Sequence, residues 1–167
     1  MNNPEEKPAE KKPRKRQALK APKTEQGTQV PDLDRLVMGL VKWHLSKVNG
    51  DPQEEYFEIL LHENGTNGGC MAKFVMGDFE ESKKRLRQQL EERVNGIDMY
   101  AYSYSGYWTA PTGERHDGAI VTLETRTLLP TILGFVIKPN EQGTQALTGQ
   151  PHPLGTGDWS LFHRAKA

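Results

Sequence analysis

The groups in this chain that could do nucleophilic chemistry are one thiol, five imidazoles and the carboxylates near them. Cys70 is the single cysteine, and the histidines stand at 44, 62, 116, 152 and 163. Cys70 closes a glycine turn, "NGGC", and "GERHDG" sets His116 beside Asp117. A cysteine hydrolase needs its thiol within reach of an imidazole that a carboxylate orients. Cys70, His62, His116 and Asp117 could supply those parts, with Glu124 as a second carboxylate for His116. Glu114, Arg115, His116 and Asp117 are consecutive, so they cannot all point one way. Cys70, His62 and His116 meet only if the two halves of a sheet lie side by side.

Other chemistries leave less trace. No HxH or HExxH spacing occurs, and "NGTNGGC" lacks the Lys-Ser/Thr ending of a phosphate loop. One cysteine allows neither an internal disulfide nor a Cys-based zinc site within the chain. Neither a metal nor a cofactor is expected.

The densest side-chain cluster is "YAYSYSGYW", residues 100–108. In a strand Tyr100, Tyr102 and Tyr104 share one face, with Met99, Ala101 and Ser103 on the other. A tyrosine row is half-buried sheet surface or a stacking platform. Together with Trp159, Leu161 and Phe162 of "WSLF", it forms the expected partner-binding set, since large aromatic residues dominate such contacts.

Helices and strands must position these groups. In "PDLDRLVMGLVKWHLSKVNGD" apolar residues recur at three and four, which predicts a helix over 32–48 with Asp32 as N-cap. Asn49-Gly50 then reads as a left-handed stop. His44 lies on the apolar stripe and reads as a buried or boundary histidine. "EYFEILLHEN" alternates as a strand, "GTNGG" turns, and "CMAKFVM" completes a strand or hairpin over 55–76. A second helix spans 79–94 with Asp78 as N-cap and a narrow stripe of Phe79, Leu86, Leu90 and Val94. Asn95-Gly96 ends it in the same way. Three strand patterns over 97–138 form an antiparallel meander.

Composition divides the chain further. Its 167 residues carry 22 basic and 22 acidic side chains, but residues 1–30 hold eight Lys or Arg against four Glu. That segment has too little apolar surface to offset ordering entropy, so a disordered basic arm is expected. Lys11, Lys12, Arg14, Lys15 and Arg16 are its candidate polyanion-binding residues, nucleic acid included. No apolar run approaches the roughly 20 residues of a spanning helix, so no membrane contact and a cytoplasmic setting are expected. Residues 31–138 form the domain. Residues 139–167 read as an extended Gly/Pro/Gln-rich tail with an apolar anchor.

The aromatic strand closing on "YSGYW", the charged loop and "RHDGAIVTLE" resemble small uncharacterised α+β proteins of bacteria and phages over residues 78–138. The resemblance implies an accessory role and carries no catalytic residues.

The expected fold is α+β: two helices packed on one face of a mainly antiparallel sheet, the tyrosine face half exposed, with arms at both ends. The expected function is a non-enzymatic interaction protein that binds a protein partner, itself or nucleic acid. The alternative is a small hydrolase using Cys70 and His116.

Overall fold

The computed structural model describes residues 33–50, 56–63, 69–75 and 78–164. Asp32, the "GTNGG" turn and the basic arm, with Lys11, Lys12, Arg14, Lys15 and Arg16, lie outside them.

Among the described residues two helices and seven strands follow in the order α1 (Leu33–Gly50), β1 (Tyr56–Glu63), β2 (Gly69–Val75), α2 (Phe79–Arg93), β3 (Ile97–Thr109), β4 (Arg115–Thr125), β5 (Thr131–Pro139), β6 (Gln145–Leu147) and β7 (His152–Thr156). The sheet order is β2-β1-β3-β4-β5-β6, and every neighbouring pair is antiparallel. β7 pairs with the first part of β5, from Thr131 to Gly134, and β6 with its end, from Ile137 to Pro139. The α+β class, an antiparallel strand pair within 55–76 and the antiparallel strands of 97–138 therefore hold.

The two helices do not share a face. Seven successive residues of β3, Ile97 to Ser103, are buried, so both faces of this strand need a cover. Met99 and Ala101 pack with Leu33, Val37, Leu40 and Val41 of α1. Tyr100 and Tyr102 pack with Leu86 and Leu90 of α2. The wide stripe of α1 covers most of one side, with Leu128 and Leu147 packed at its margin. The narrow stripe of α2 leaves room, and the C-terminal segment fills it: Trp159, Leu161 and Phe162 join the same cluster. Each fully buried leucine in these layers contributes about 1.5–3 kcal/mol.

The helix ends also differ from the expected glycine stops. Helix α1 runs through Asn49 and Gly50, and α2 ends on Val94 in right-handed geometry. Neither Gly50 nor Gly96 has a positive φ. At the other end of α2, Asp78 does cap, accepting from the Glu81 N–H at 2.9 Å.

The tail beyond Pro139 is structured rather than simply extended. Asn140 Oδ1 accepts from the N–H groups of Gln142 and Thr144, at 3.0 and 2.9 Å, and Gly143 takes φ 78°. This side-chain-closed turn folds β6 back onto β5. The loop between β3 and β4 is shorter than its composition suggests, since β4 begins at Arg115.

Candidate active site

Helical spacing places His44 on the buried stripe of α1, one turn after Leu40 and Val41. Strand alternation places Glu58 of β1 on the sheet face that meets this stripe, and pairing sets Glu58 opposite Ser103 of β3. Ser105 lies two residues further along β3 and points the same way. The three elements thus bring four polar side chains to one spot.

They form a continuous chain of hydrogen bonds. Ser105 Oγ is 3.0 Å from His44 Nε2. His44 Nδ1 is 2.8 Å from Glu58 Oε2. The Ser103 hydroxyl donates to the same carboxylate oxygen at 2.7 Å. The Lys47 ammonium, one turn beyond His44, stands 3.9 Å from Glu58 Oε1. His44 and Glu58 are fully buried, whereas Ser105 is exposed. An ionised carboxylate only accepts, so the network assigns the imidazole proton to Nδ1 and leaves Nε2 to accept from Ser105. This is the order of a nucleophile, a base and an orienting acid, with the nucleophile alone facing solvent.

The hydroxyl opens on a groove of about 370 Å³. Val48 and Tyr107 line it, as do Gly106, Gly118, Ile137 and Gln145. Asn49 fixes the groove's outer wall. Its side-chain amide donates to the Gln145 carbonyl at 3.0 Å, and its Oδ1 accepts from the Gln145 N–H at 2.9 Å. The end of α1 is thereby tied to β6. At the rim, the Arg115 guanidinium lies 4.1 Å from the centre of the Tyr107 ring and 3.4 Å from Asp117.

The residues first considered for catalysis are not brought together. Cys70 on β2 stands opposite Leu61, and Leu61 stands opposite Tyr100. His116 stands opposite Trp108. Tyr100 and Trp108 are eight residues apart on one strand, so Cys70 and His116 are separated by about 27 Å along the sheet. His62 lies at the Cys70 end, opposite Met99, with its Nδ1 3.8 Å from Asp98. His116 packs between Trp108 and the His152 ring, whose centroid is 4.7 Å away. Its neighbour Asp117 points to the opposite face. Glu124 is engaged elsewhere, holding the C-terminal segment: it accepts from the Ser160 hydroxyl at 2.5 Å and from the N–H groups of Leu161 and Phe162 at 2.8 and 3.1 Å.

The expected partner-binding residues face one another. Tyr100 is 5.9 Å from Trp159 and 6.2 Å from Phe162 between ring centres. Tyr100 and Tyr102 are buried, and Tyr104 is half buried against Phe57 and Phe79. Burial, then the negative charge of Glu124, pushes the Tyr100 phenol up, and burial raises Tyr102. Tyr104 is pushed up to about 12, mainly by burial. These rings are core, not an open platform.

The Ser105–His44–Glu58 chain was not read from the sequence. His44 reads as a buried or boundary histidine, but its partners are 14 and 61 residues away. One local signal existed: Glu58 sits between apolar residues in "FEIL", where a buried carboxylate demands a partner. Among the described residues no group of three or more His, Cys, Asp or Glu side chains is placed to hold a metal ion, and no helix is long and apolar enough to cross a membrane.

No protein-family model matches the chain, no curated protein matches it, and no solved structure matches it.

Proposed function

We propose that the protein is a serine-dependent acyl hydrolase, with Ser105 as nucleophile, His44 as general base and Glu58 as the group that orients His44. The hydrogen-bonded run from an exposed hydroxyl through a buried imidazole to a buried carboxylate carries this reading. Ser105 Oγ attacks the acyl carbon of an ester while His44 Nε2 takes the hydroxyl proton. Collapse of the tetrahedral adduct breaks the bond to the leaving oxygen, and His44 returns the proton to that oxygen. The alcohol departs and leaves the acyl group on Ser105. Water then attacks the acyl carbon, giving a proton to His44, and the acid leaves as Ser105 recovers its hydrogen. The sum is ester plus water to acid plus alcohol.

Glu58 supports the imidazolium that forms in each half-reaction, and Ser103 holds the carboxylate in place from the side. Burial of this pair strengthens their interaction relative to one in water.

Incubation with a fluorophosphonate, followed by peptide mass spectrometry, tests the reading. The expected adduct is on Ser105, absent in Ser105→Ala and strongly slowed in His44→Ala, with far-UV circular dichroism showing both variants folded. No adduct on the folded wild type, or labelling unaffected by Ser105→Ala, overturns it. That outcome would favour the non-enzymatic interaction role that composition suggests.

A further inference from the structure

Resting on the hydrolase reading, we infer that the acyl group it accepts is short and uncharged, and that Tyr107, Asp117 and Ile137 set this choice.

Size is the first argument. The groove beside Ser105 holds about 370 Å³. At roughly 30 Å³ per water-sized group, that is room for about a dozen such groups. An ester function with an acyl chain of about four to eight carbons covers the lined walls, and a longer chain runs out into solvent with nothing further to pack on. The wall at Gln145 is pinned by both polar atoms of the Asn49 side chain, so the groove does not widen freely on that side.

Lining chemistry is the second argument. Val48, Tyr107 and Ile137 give it apolar walls, and Gly106 and Gly118 add no side chains. Asp117 is the only acidic or basic side chain among the described residues that line it, and its carboxylate already faces Arg115 at 3.4 Å. The Arg115 guanidinium is in turn laid over the exposed Tyr107 ring. An acyl chain ending in a carboxylate would meet Asp117 as a like charge while Arg115 is already engaged. A neutral chain meets no such repulsion and covers the apolar walls.

The chemical step is the one given above: the acyl–oxygen bond to the alcohol breaks, and the acyl carbon is carried on Ser105 Oγ before water releases it.

A panel of p-nitrophenyl esters with butyryl, octanoyl, palmitoyl and glutaryl acyl groups tests this, with rates in Ser105→Ala subtracted as background. The expected kcat/KM for butyryl or octanoyl ester exceeds that for palmitoyl and for glutaryl ester by about tenfold or more. Asp117→Asn is expected to narrow the butyryl-to-glutaryl ratio severalfold, and Ile137→Trp to lower the octanoyl-to-butyryl ratio. Fluorophosphonate labelling of Ser105 runs in parallel. Labelling with a flat profile, or with palmitoyl or glutaryl ester preferred, overturns the acyl-group assignment alone. Absence of labelling overturns the assignment together with the hydrolase reading beneath it.

Discussion

His44 and Glu58 face each other across the α1–sheet boundary at 2.8 Å, both without solvent exposure. A buried carboxylate is costly unless it is compensated; here an imidazole N–H and the Ser103 hydroxyl satisfy Oε2, while Oε1 has the Lys47 ammonium at 3.9 Å and no hydrogen bond. Glu58→Gln keeps the shape but removes the anion and introduces two donors. It is expected to slow fluorophosphonate labelling of Ser105 by about 10³–10⁴-fold. It is also expected to cost about 1–3 kcal/mol in urea denaturation. Unchanged labelling in a folded Glu58→Gln chain would deny the carboxylate an orienting role.

Two glycines of the central strands are held by contact rather than by turn geometry. A Cβ on Gly118 would lie 1.9 Å from the Phe135 carbonyl oxygen, and one on Gly134 would lie 2.6 Å from the Trp108 ring. Backbone cannot yield as a side chain can. Gly134→Ala is expected to cost about 1–3 kcal/mol and to shift tryptophan fluorescence, and Gly118→Ala to cost more. Denaturation curves ranking the two in the opposite order would contradict the packing described.

The C-terminal segment is fastened by Glu124 and by the Trp159 and Phe162 rings packed at a tilt against Tyr100. Leu161, 7% exposed, fills the layer between α2 and the sheet. Leu161→Ala is expected to destabilise the domain by about 2–4 kcal/mol and to speed hydrogen exchange in α2. Exchange confined to residues 158–164, with α2 unchanged, would mean that the segment covers the tyrosines without supporting them.

Alkaline pH should loosen this same layer. The Tyr104 phenol lies at about 12 in the fold against an ordinary value of 10.0, and Tyr100 and Tyr102 shift in the same direction. Above pH 10 the unfolded chain therefore releases these protons more readily than the folded one. Stability is whole below pH 10 and falls as pH climbs from 10 towards 12. Melting temperatures measured from pH 8 to 12 should decline only in the upper half of that range. Tyr104→Phe should reduce the decline. A flat profile would contradict the burial of the phenols.

Asn49 spends both its amide groups on Gln145. Asn49→Ala is expected to cost about 1–2 kcal/mol and to raise amide exchange at residues 145–147. Catalysis through the Ser105 groove should fall with little change in fluorophosphonate labelling, because the nucleophile itself is untouched. An equal loss of both would place Asn49 among the groups that hold Ser105.

Much of the architecture was legible from local pattern. Leu33, Val37, Leu40 and Val41 recur at helical spacing, and the alternation through Tyr100, Tyr102 and Tyr104 marks a strand whatever packs on it. Which cover lies on which side was not legible, because that depends on pairings such as Glu58 with Ser103 and Tyr100 with Glu124. Local turn chemistry also misled. Asn49-Gly50 has the composition of a helix stop, yet the asparagine side chain is used by a strand 96 residues away. "ERHDG" reads as a loop, yet pairing with β3 extends through Arg115 opposite Thr109. The candidate site escaped for the same reason: each member looks ordinary in its own segment, and only the register of β1 on β3 makes them neighbours.

The sidedness of β3 has one more consequence. Odd-numbered positions from Met99 to Ser105 answer to α1 and the groove, and even-numbered positions from Tyr100 to Tyr104 answer to α2, Phe79 and the segment around Trp159, Leu161 and Phe162. A substitution scan along this one strand should therefore sort into two alternating families of defect, one that loosens α1 and the Ser105 groove and one that loosens α2 and the C-terminal segment. The strand is a party wall, and each room can be redecorated while the other stays furnished.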